Sequence, residues 1–295
     1  MRDVVESKVC NSDIKKIQEK LLGILVYFKE FCEENGLRFY LAGGTCIGAA
    51  RHQGFIPWDD DIDVFMLRED YEKLCELWPL KADLSRFSCV RSDDKINIHH
   101  SATEIKDNHT TFINRHSVDL DIHHGIMIDV IPLDGVAPHR FTEMTQIIYA
   151  MVYCLFVFQR LPEHKGKLTY YASKIALGLI RSPKLRYKIW KFCEKRLSRF
   201  SLEDCSMVAS FGEGVTIMRQ HFPKEWFRDM DTVLPFEGYE MPVAKDYDQY
   251  LRISYGDYME LPPEEERVFR HDISFMDLDH SYLQYKGIKY CVNKK

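Results

Sequence analysis

Residues 41–66, LAGGTCIGAARHQGFIPWDDDIDVFM, contain the pattern that decides the fold. A Gly-Gly turn opens a short helical segment, and an acidic strand follows a tight Pro-Trp turn. Side chains two residues apart on a strand point to the same face of a sheet. The pattern therefore predicts that Asp61 and Asp63 share one face of a strand that is otherwise apolar.

A divalent cation is the expected partner of these two carboxylates. Like charges side by side on an apolar strand repel each other and lose hydration. Oxygen ligands without a nearby Cys favour Mg²⁺ or Mn²⁺ over Zn²⁺. An EF-hand loop starting at Asp59 does not fit, because its required Gly falls on Val64 and its closing Glu on Asp70.

Asp129 is the third informative acid. It lies in Gly125–Pro132, GIMIDVIP, which is predicted to be a central strand with both faces buried. An isolated carboxylate there needs a hydrogen bond, an ion pair or a metal. If this strand lies beside the acidic strand, three carboxylates converge and can hold two Mg²⁺ ions. An Asp that caps a turn or pairs with a buried Arg is the alternative.

The turn at Gly43, Gly44 and Thr45 fits phosphate chemistry. Glycines let the backbone approach an anion, and the N–H groups at the start of the following helix point towards it. Paired glycines before a helix are also ordinary turn chemistry. Together with Asp61, Asp63 and Asp129, the turn predicts phosphoryl or nucleotidyl transfer.

The spacing from the glycines to Asp61-x-Asp63 resembles the nucleotidyltransferase superfamily, which includes the β-type DNA polymerases. The longer stretch AGGTCIGAARHQGFIPWDDDID resembles the LicD family, which includes the fukutin-related proteins. Further similar motifs are IKDNHTTF at 105–112, GIMIDVIPLDG at 125–135 and PVAKDYDQYL with GDYMELPPEEER at 242–267. The segment 137–210 adds little to this resemblance.

The resemblance implies a phosphotransferase that moves a phospho-substituent from a cytidine diphosphate donor to a sugar hydroxyl and releases CMP. Bacterial members typically use CDP-choline, and relatives use CDP-ribitol or CDP-glycerol. The acceptor is a teichoic acid, lipopolysaccharide or capsule unit, carried on a lipid. A nucleotidyltransferase releasing pyrophosphate and a non-enzymatic glycan- or membrane-binding protein remain alternatives.

The resemblance also implies roles for individual residues. Asp61, Asp63 and Asp129 would be the metal ligands, with Asp129 helping to deprotonate the acceptor, and Gly43, Gly44 and Thr45 would cradle the diphosphate. Arg51 and Lys106 are predicted to meet phosphate, although both also suit surface ion pairs. Trp58 is predicted to contact the choline, with Tyr255 and Tyr258 as further aromatic candidates.

Composition places the chain among ordinary globular proteins. It has 295 residues, 45% hydrophobic and 29% charged, and its net charge of −5 gives no reason to expect nucleic acid. Nine cysteines without a C-x-x-C pair argue against a disulfide framework. The N-terminus is too polar for a signal peptide, so we expect the cytoplasm. His52 and the doublets at 99–100 and 123–124 lack the Cys spacing of a zinc site.

A basic segment follows an apolar one in the middle of the chain. Residues 147–158 are uninterrupted apolar positions, too few to cross a bilayer, which needs roughly 20 residues. Between Arg160 and Arg199 there are twelve Lys or Arg against two Glu. This pairing predicts either a core helix beside a solvated basic face, or contact with an anionic membrane at the inner face of the plasma membrane.

The predicted fold class is α+β, a nucleotidyltransferase-like small mixed sheet flanked by helices. Residues 1–136 form the catalytic core in this interpretation, 137–210 a helical, basic insert, and 211–295 complete the catalytic domain.

Overall fold

The computed structural model describes residues 11–161, 167–269 and 272–292, and within them helices pack on a mixed sheet. This confirms the α+β class. The helices are α1 (Asn11–Glu34), α2 (Gly43–His52), α3 (Arg68–Lys81), α4 (Arg140–Phe158), α5 (Lys167–Leu179), α6 (Pro183–Leu197), α7 (Val215–Met218) and α8 (Tyr247–Tyr255). The strands are β1 (Tyr40–Leu41), β2 (Asp63–Leu67), β3 (Phe87–Val90), β4 (Thr103–Asp107), β5 (Thr111–Asn114), β6 (Met127–Gly135), β7 (Met207–Ala209), β8 (Phe222–Pro223), β9 (Val233–Phe236), β10 (Tyr239–Pro242) and β11 (Ile273–Asp277).

The main sheet has the strand order β1-β2-β6-β4-β3, and β7 and β8 extend it from the last residues of β6. β2 and β6 run parallel, whereas β1 pairs with β2, and β4 with β6, in antiparallel fashion. The strand that carries Asp129 is therefore the direct neighbour of the acidic strand, which is the condition for their carboxylates to converge. Their register places Asp63 opposite Asp129.

Helix α1 covers the sheet with its apolar stripe. It lies against β4 and β6, and Ile17, Leu21, Ile24 and Phe28 on this stripe are completely buried. Repetition at three- and four-residue spacing is what places these side chains on one face. The helix ends where Gly36 adopts a left-handed conformation with φ of 64°, which a residue without Cβ accepts most easily.

The helices between β6 and β7 have a hydrophobic cluster of their own. Tyr153 and Val157 of α4 pack in it with Trp190 and Leu197 of α6. A buried glutamine ties this cluster to the sheet: Gln146 accepts a hydrogen bond from Ala137 N and donates to the carbonyls of Gly135 and Leu197. The division of the chain at residues 136 and 210 remains an interpretation.

Helix α4 is longer than the apolar run at 147–158. It starts at Arg140 and includes the polar Gln146, which directly precedes the apolar run. The helix can bury this side chain because its hydrogen bonds are satisfied. With 19 residues and a mean hydropathy of 1.5, α4 is long and apolar enough to cross a membrane by length and composition alone. The core helix of a soluble protein also meets these criteria, but such a helix is mostly buried. In α4 only 33% of the most apolar stretch is buried.

One sequence prediction about a strand needs correction. The acidic strand begins at Asp63, so Asp61 lies in the segment before it and does not share a strand with Asp63. The eight cysteines in the described residues are free thiols.

Candidate active site

Asp63 and Asp129 lie side by side because β2 and β6 are parallel and in register. The backbone N–H of Asp129 donates to the carbonyl of Ile62 at 2.8 Å, which fixes the register at the start of both strands. Burial raises the pKa of Asp63 well above its ordinary value, and the charges of Asp61 and Asp129 raise it further. The pair therefore strongly favours a bound cation or proton.

Asp61 acts on this pair from the turn before β2. Its charge raises the pKa of both Asp63 and Asp129. Glu213, which follows β7, is also part of the group: burial raises its pKa, and Asp129 raises it further. The carboxylates of Asp61, Asp63 and Asp129 therefore interact electrostatically, and Glu213 is a further carboxylate that the sequence did not indicate.

The Gly-Gly turn makes room for carboxylates. A Cβ on Gly43 would lie 3.0 Å from Asp63 Oδ2, and a Cβ on Gly44 would lie 2.7 Å from Asp59 Oδ2. The N–H of Gly43 donates to the Tyr250 hydroxyl at 2.8 Å, so this donor is already used. The hydroxyl of Thr45 accepts from the Asp63 N–H at 2.9 Å and positions that residue. A role in cradling a diphosphate stays a prediction for these three residues.

His100 and Glu104 extend the site on the other side of Asp129. Glu104 lies opposite Asp129 because β4 is the antiparallel neighbour of β6. His100 Nδ1 is 3.8 Å from Asp129 Oδ1 and 3.7 Å from Glu104 Oε1. Ligand atoms of the three residues lie within 4.8 Å of one another, so this group can hold a metal ion. Asp61 and Asp63 are not members of it.

The atoms of this group fit a cation. His100 Nδ1 and Asp129 Oδ1 are buried and have no hydrogen-bond partner among the described residues. Burial raises the pKa of Asp129 to about 6, with His100 opposing the shift and Glu104 adding to it. One nitrogen and two carboxylates suit Mn²⁺ better than Mg²⁺, because Mg²⁺ prefers oxygen ligands alone. An imidazolium on His100 between the two carboxylates is the alternative arrangement.

Sequence reasoning missed His100 and Glu104 as members of the site. The histidine doublet at 99–100 was considered for zinc alone, and Glu104 is one acid among many. The signal that could have found Glu104 is its alternation with Lys106, which puts both side chains on one face of β4. This alternation points to the site only once β4 is known to lie beside β6.

The other predicted residues are found in two places. Lys106 is buried and its Nζ lies 2.9 Å from Glu104 Oε2, so it orients that carboxylate, and contact with phosphate stays a prediction. Arg51 donates from Nη1 to the carbonyls of Tyr258 and Glu260. Arg51 and Trp58 both line a cavity of about 780 Å³ that also contains Asp61 and Asp63.

Tyr258 lines the same cavity as Trp58, and an aromatic role there stays a prediction. Its ring is buried, and its hydroxyl donates to Asp248 at 2.7 Å. Tyr255 lines the cavity with Trp58, and its hydroxyl would lie 3.4 Å from a Cβ on Gly43.

Comparison with known proteins finds a family match for part of the chain. Residues 36–132, which include β1, β2, β4 and the first part of β6, match the family model described as LicD/FKTN/FKRP, nucleotidyltransferase domain. The resemblance of these residues to the LicD family is confirmed.

Two relatives have names that state an activity. Lipopolysaccharide cholinephosphotransferase LicD of Haemophilus influenzae is 29% identical over 285 residues, which is 88% of this chain and 96% of that protein. Human ribitol 5-phosphate transferase FKRP is 36% identical over 61 residues, which is 21% of this chain and 11% of FKRP. Both relatives are phosphotransferases, which confirms the predicted enzyme class.

Replacing His100 by Ala, or Glu104 by Gln, is expected to weaken Mn²⁺ binding by at least about 10-fold, because each change removes one of the three ligands. Calorimetric titration of the metal-free protein measures this. His109→Ala is the matched control, since His109 is exposed and lies outside the group. Unchanged Mn²⁺ affinity in both variants would favour the imidazolium arrangement instead.

Proposed function

We propose that this protein transfers phosphocholine from CDP-choline to a sugar hydroxyl of a cell-surface glycan precursor and releases CMP, with Mg²⁺ as its cofactor. The observation that carries this proposal is the charge of the cavity beside Asp63. Seven carboxylates and one arginine line it. The carboxylates are Asp59, Asp60, Asp61, Asp63, Asp257, Glu260 and Glu266.

The excess of carboxylates favours a donor with a positively charged head group. Choline carries a permanent cation, whereas ribitol and glycerol are neutral. Trp58 and Tyr255 add aromatic rings to the same wall, and quaternary ammonium groups bind to aromatic faces. The guanidinium carbon of Arg267 lies 5.7 Å from the centre of the Trp58 ring, so this ring already accepts a cation.

The reaction follows from the arrangement of the acids. A bound Mg²⁺ would be held by Asp61, Asp63 and Asp129 and would neutralise charge on the diphosphate. The acceptor oxygen forms the new bond to the phosphorus of phosphocholine, and the bond from that phosphorus to CMP breaks. We assign the acceptor's proton to Asp129, because this carboxylate lies directly beside Asp63 in the register of β2 and β6.

The acceptor in this proposal is a lipid-linked glycan at the cytoplasmic face of the plasma membrane. The name of the Haemophilus influenzae relative, a lipopolysaccharide cholinephosphotransferase, supports a glycan acceptor of this kind. The name of FKRP supports ribitol phosphate as the second candidate for the transferred group.

A donor comparison tests the proposal. CMP release is measured with CDP-choline, CDP-ribitol and CDP-glycerol, each with Mg²⁺ and with a chelator. We expect release from CDP-choline that requires the metal. Release from CDP-ribitol or CDP-glycerol alone would replace the choline assignment, and release of pyrophosphate from CTP would identify an ordinary nucleotidyltransferase.

Replacing Trp58 by Ala is expected to raise the KM for CDP-choline about 10-fold, because a cation on a desolvated ring contributes roughly 1–2 kcal/mol. Trp58→Phe keeps a ring and is the matched control, with a smaller increase. Steady-state kinetics with CDP-choline measures both. If Trp58→Ala weakened binding of CDP-ribitol, whose head group is neutral, by the same factor, Trp58 would shape the cavity without contacting choline.

A further inference from the structure

The helices between β6 and β7 expose an unusual number of large apolar side chains. On α4 they recur every three or four residues, so they form one stripe opposite the buried face that contains Ala150 and Tyr153. The exposed fraction reaches 81% at Phe141 and 79% at Leu179. The full set is Phe141, Met144, Ile148 and Met151 of α4, Tyr171, Ile175 and Leu179 of α5, and Leu185 and Phe192 of α6.

The charged side chains that accompany them are of one sign. Within the described residues of 140–199, nine Lys or Arg are exposed and no carboxylate is. Glu194 is buried, and Glu143 is half-buried with its Oε1 3.7 Å from His221 Nε2. The exposed cations are Arg140, Arg160, Lys174, Arg181, Lys184, Lys188, Lys195, Arg196 and Arg199.

Helix α6 combines both features on one face. Lys188, Phe192 and Lys195 follow each other at spacings of four and three, so they share the face opposite Trp190 and its buried neighbours. Apolar and cationic side chains alternate along this face. Long cationic side chains on such a face can bury their methylene groups and keep the charge at the head-group level of a bilayer.

Helix α4 adjoins this face. The guanidinium carbon of Arg196 lies 5.6 Å from the centre of the Tyr149 ring on α4 and 5.9 Å from that of Phe192. The apolar side of α4 and the basic side of α6 therefore meet. The surface formed by the exposed residues of α4, α5 and α6 is called the insert surface below.

We propose that the insert surface docks on an anionic lipid bilayer, with the helices lying along the membrane plane. Apolar side chains enter the head-group boundary, and the cations meet acidic lipids, each contributing to the affinity. The proposal rests on exposure and charge alone, so it does not depend on the proposed reaction.

Two other arrangements fit the structure less well. Crossing the membrane would require α4 to leave α6, yet Tyr153 and Val157 are packed there and Gln146 is bound to three backbone groups. Docking of a second copy through the same surface would bring two sets of like charges together without a carboxylate between them. An anionic bilayer supplies the opposite charge and an apolar interior at once.

Vesicle flotation with the full chain tests the proposal. We expect binding to vesicles of phosphatidylcholine and phosphatidylglycerol, no binding to phosphatidylcholine alone, and release by high salt. Lys188→Glu combined with Lys195→Glu is expected to lower the affinity for these vesicles at least about 30-fold, because each cation near an acidic membrane raises the affinity by a factor of about five. Phe141→Ser combined with Ile148→Ser should lower it at least about 10-fold.

Controls use residues of the same type elsewhere on the molecule. Lys245→Glu and Leu80→Ser change an exposed cation and an exposed leucine outside the insert surface, and both should leave binding unchanged. Equal binding to both vesicle types would overturn the proposal, as would wild-type affinity in the two double variants. A salt-resistant association that only detergent releases would show a spanning helix, and a dimer that the double variants disrupt, without vesicle binding, would show a second copy as the partner.

Discussion

Asp63→Asn is expected to lower kcat/KM for phosphate-group transfer by at least about 10³-fold, since ligation of a catalytic metal stabilises charge in the transition state by several kcal/mol. Asp63 lies beside Asp129 in the register of β2 and β6, and its backbone is held by Thr45 through a 2.9 Å hydrogen bond. The asparagine keeps the size of the side chain and loses the charge. CMP release in the presence of Mg²⁺ measures the effect.

The same substitution is expected to stabilise the metal-free protein at neutral pH. Burial and the neighbouring carboxylates raise the pKa of Asp63 in the folded state above its unfolded value. A carboxyl group with a raised folded pKa makes stability highest at low pH, and this advantage is lost as the pH rises through the folded pKa. Asparagine cannot ionise, so the variant should escape that loss.

Urea unfolding in the presence of a chelator tests this part of the prediction. At pH 8 Asp63→Asn should show the higher free energy of unfolding, and the difference from the wild type should shrink as the pH falls below the ordinary pKa of 3.8, where the aspartate is neutral in both the folded and the unfolded state. Asp94→Asn, at an exposed position, is the control for the loss of one charge. Turnover within 10-fold of the wild type would refute the metal role, and an unfolded variant would refute the stability argument.

The sequence identified Asp129 as a residue that needs a partner, but it did not identify the partner. Asp129 stands alone in an apolar strand, and burial of such a carboxylate is so unfavourable that a partner had to be near. The parallel pairing of β2 with β6 supplies it by placing Asp129 beside Asp63. Local patterns also located the helix that the Gly-Gly turn opens, which is α2, and the apolar strand around Asp129, which is β6, because turn residues and apolar runs are short-range signals.

The remaining site residues depend on contacts between distant segments. Glu104 reaches Asp129 because β4 happens to be the other neighbour of β6, and Glu213 arrives from beyond the helices between β6 and β7. Asp61 was placed on the strand because alternation alone cannot tell where pairing begins. Lys106 looked available for phosphate, since its ion pair with Glu104 is invisible until both side chains are known to be buried together.

A buried ion network joins the helices between β6 and β7 to the sheet. Glu194 of α6 accepts hydrogen bonds from Arg91 and Lys191, each at 2.6 Å, and its Oε1 lies 3.8 Å from Arg68 Nη1. Burial alone would raise the pKa of Glu194, but Arg91, Arg68 and Lys191 outweigh it and hold the pKa at about 2. This carboxylate therefore remains ionised in the folded protein.

Glu194→Ala is expected to lower the free energy of unfolding by about 3 kcal/mol, because removing one partner leaves buried charge uncompensated. This value is at the lower end of what the loss of one partner from a buried ion pair usually costs, because Arg91 retains its ion pair with Glu72 and Arg68 retains its ion pair with Asp134. Urea denaturation near pH 7 measures the loss, and Glu203→Ala, at an exposed position nearby in sequence, is the control.

The pH dependence gives this prediction a second readout. Because the folded pKa of Glu194 is depressed, its contribution is fully present above the ordinary pKa of about 4.5 and is lost as the pH falls towards about 2. The difference between wild type and Glu194→Ala should therefore narrow between pH 5 and pH 2. A difference that stays constant over this range would mean that the carboxylate stabilises through its shape alone. A constant difference would also remove the charge-based link between these helices and the sheet that carries Asp63 and Asp129.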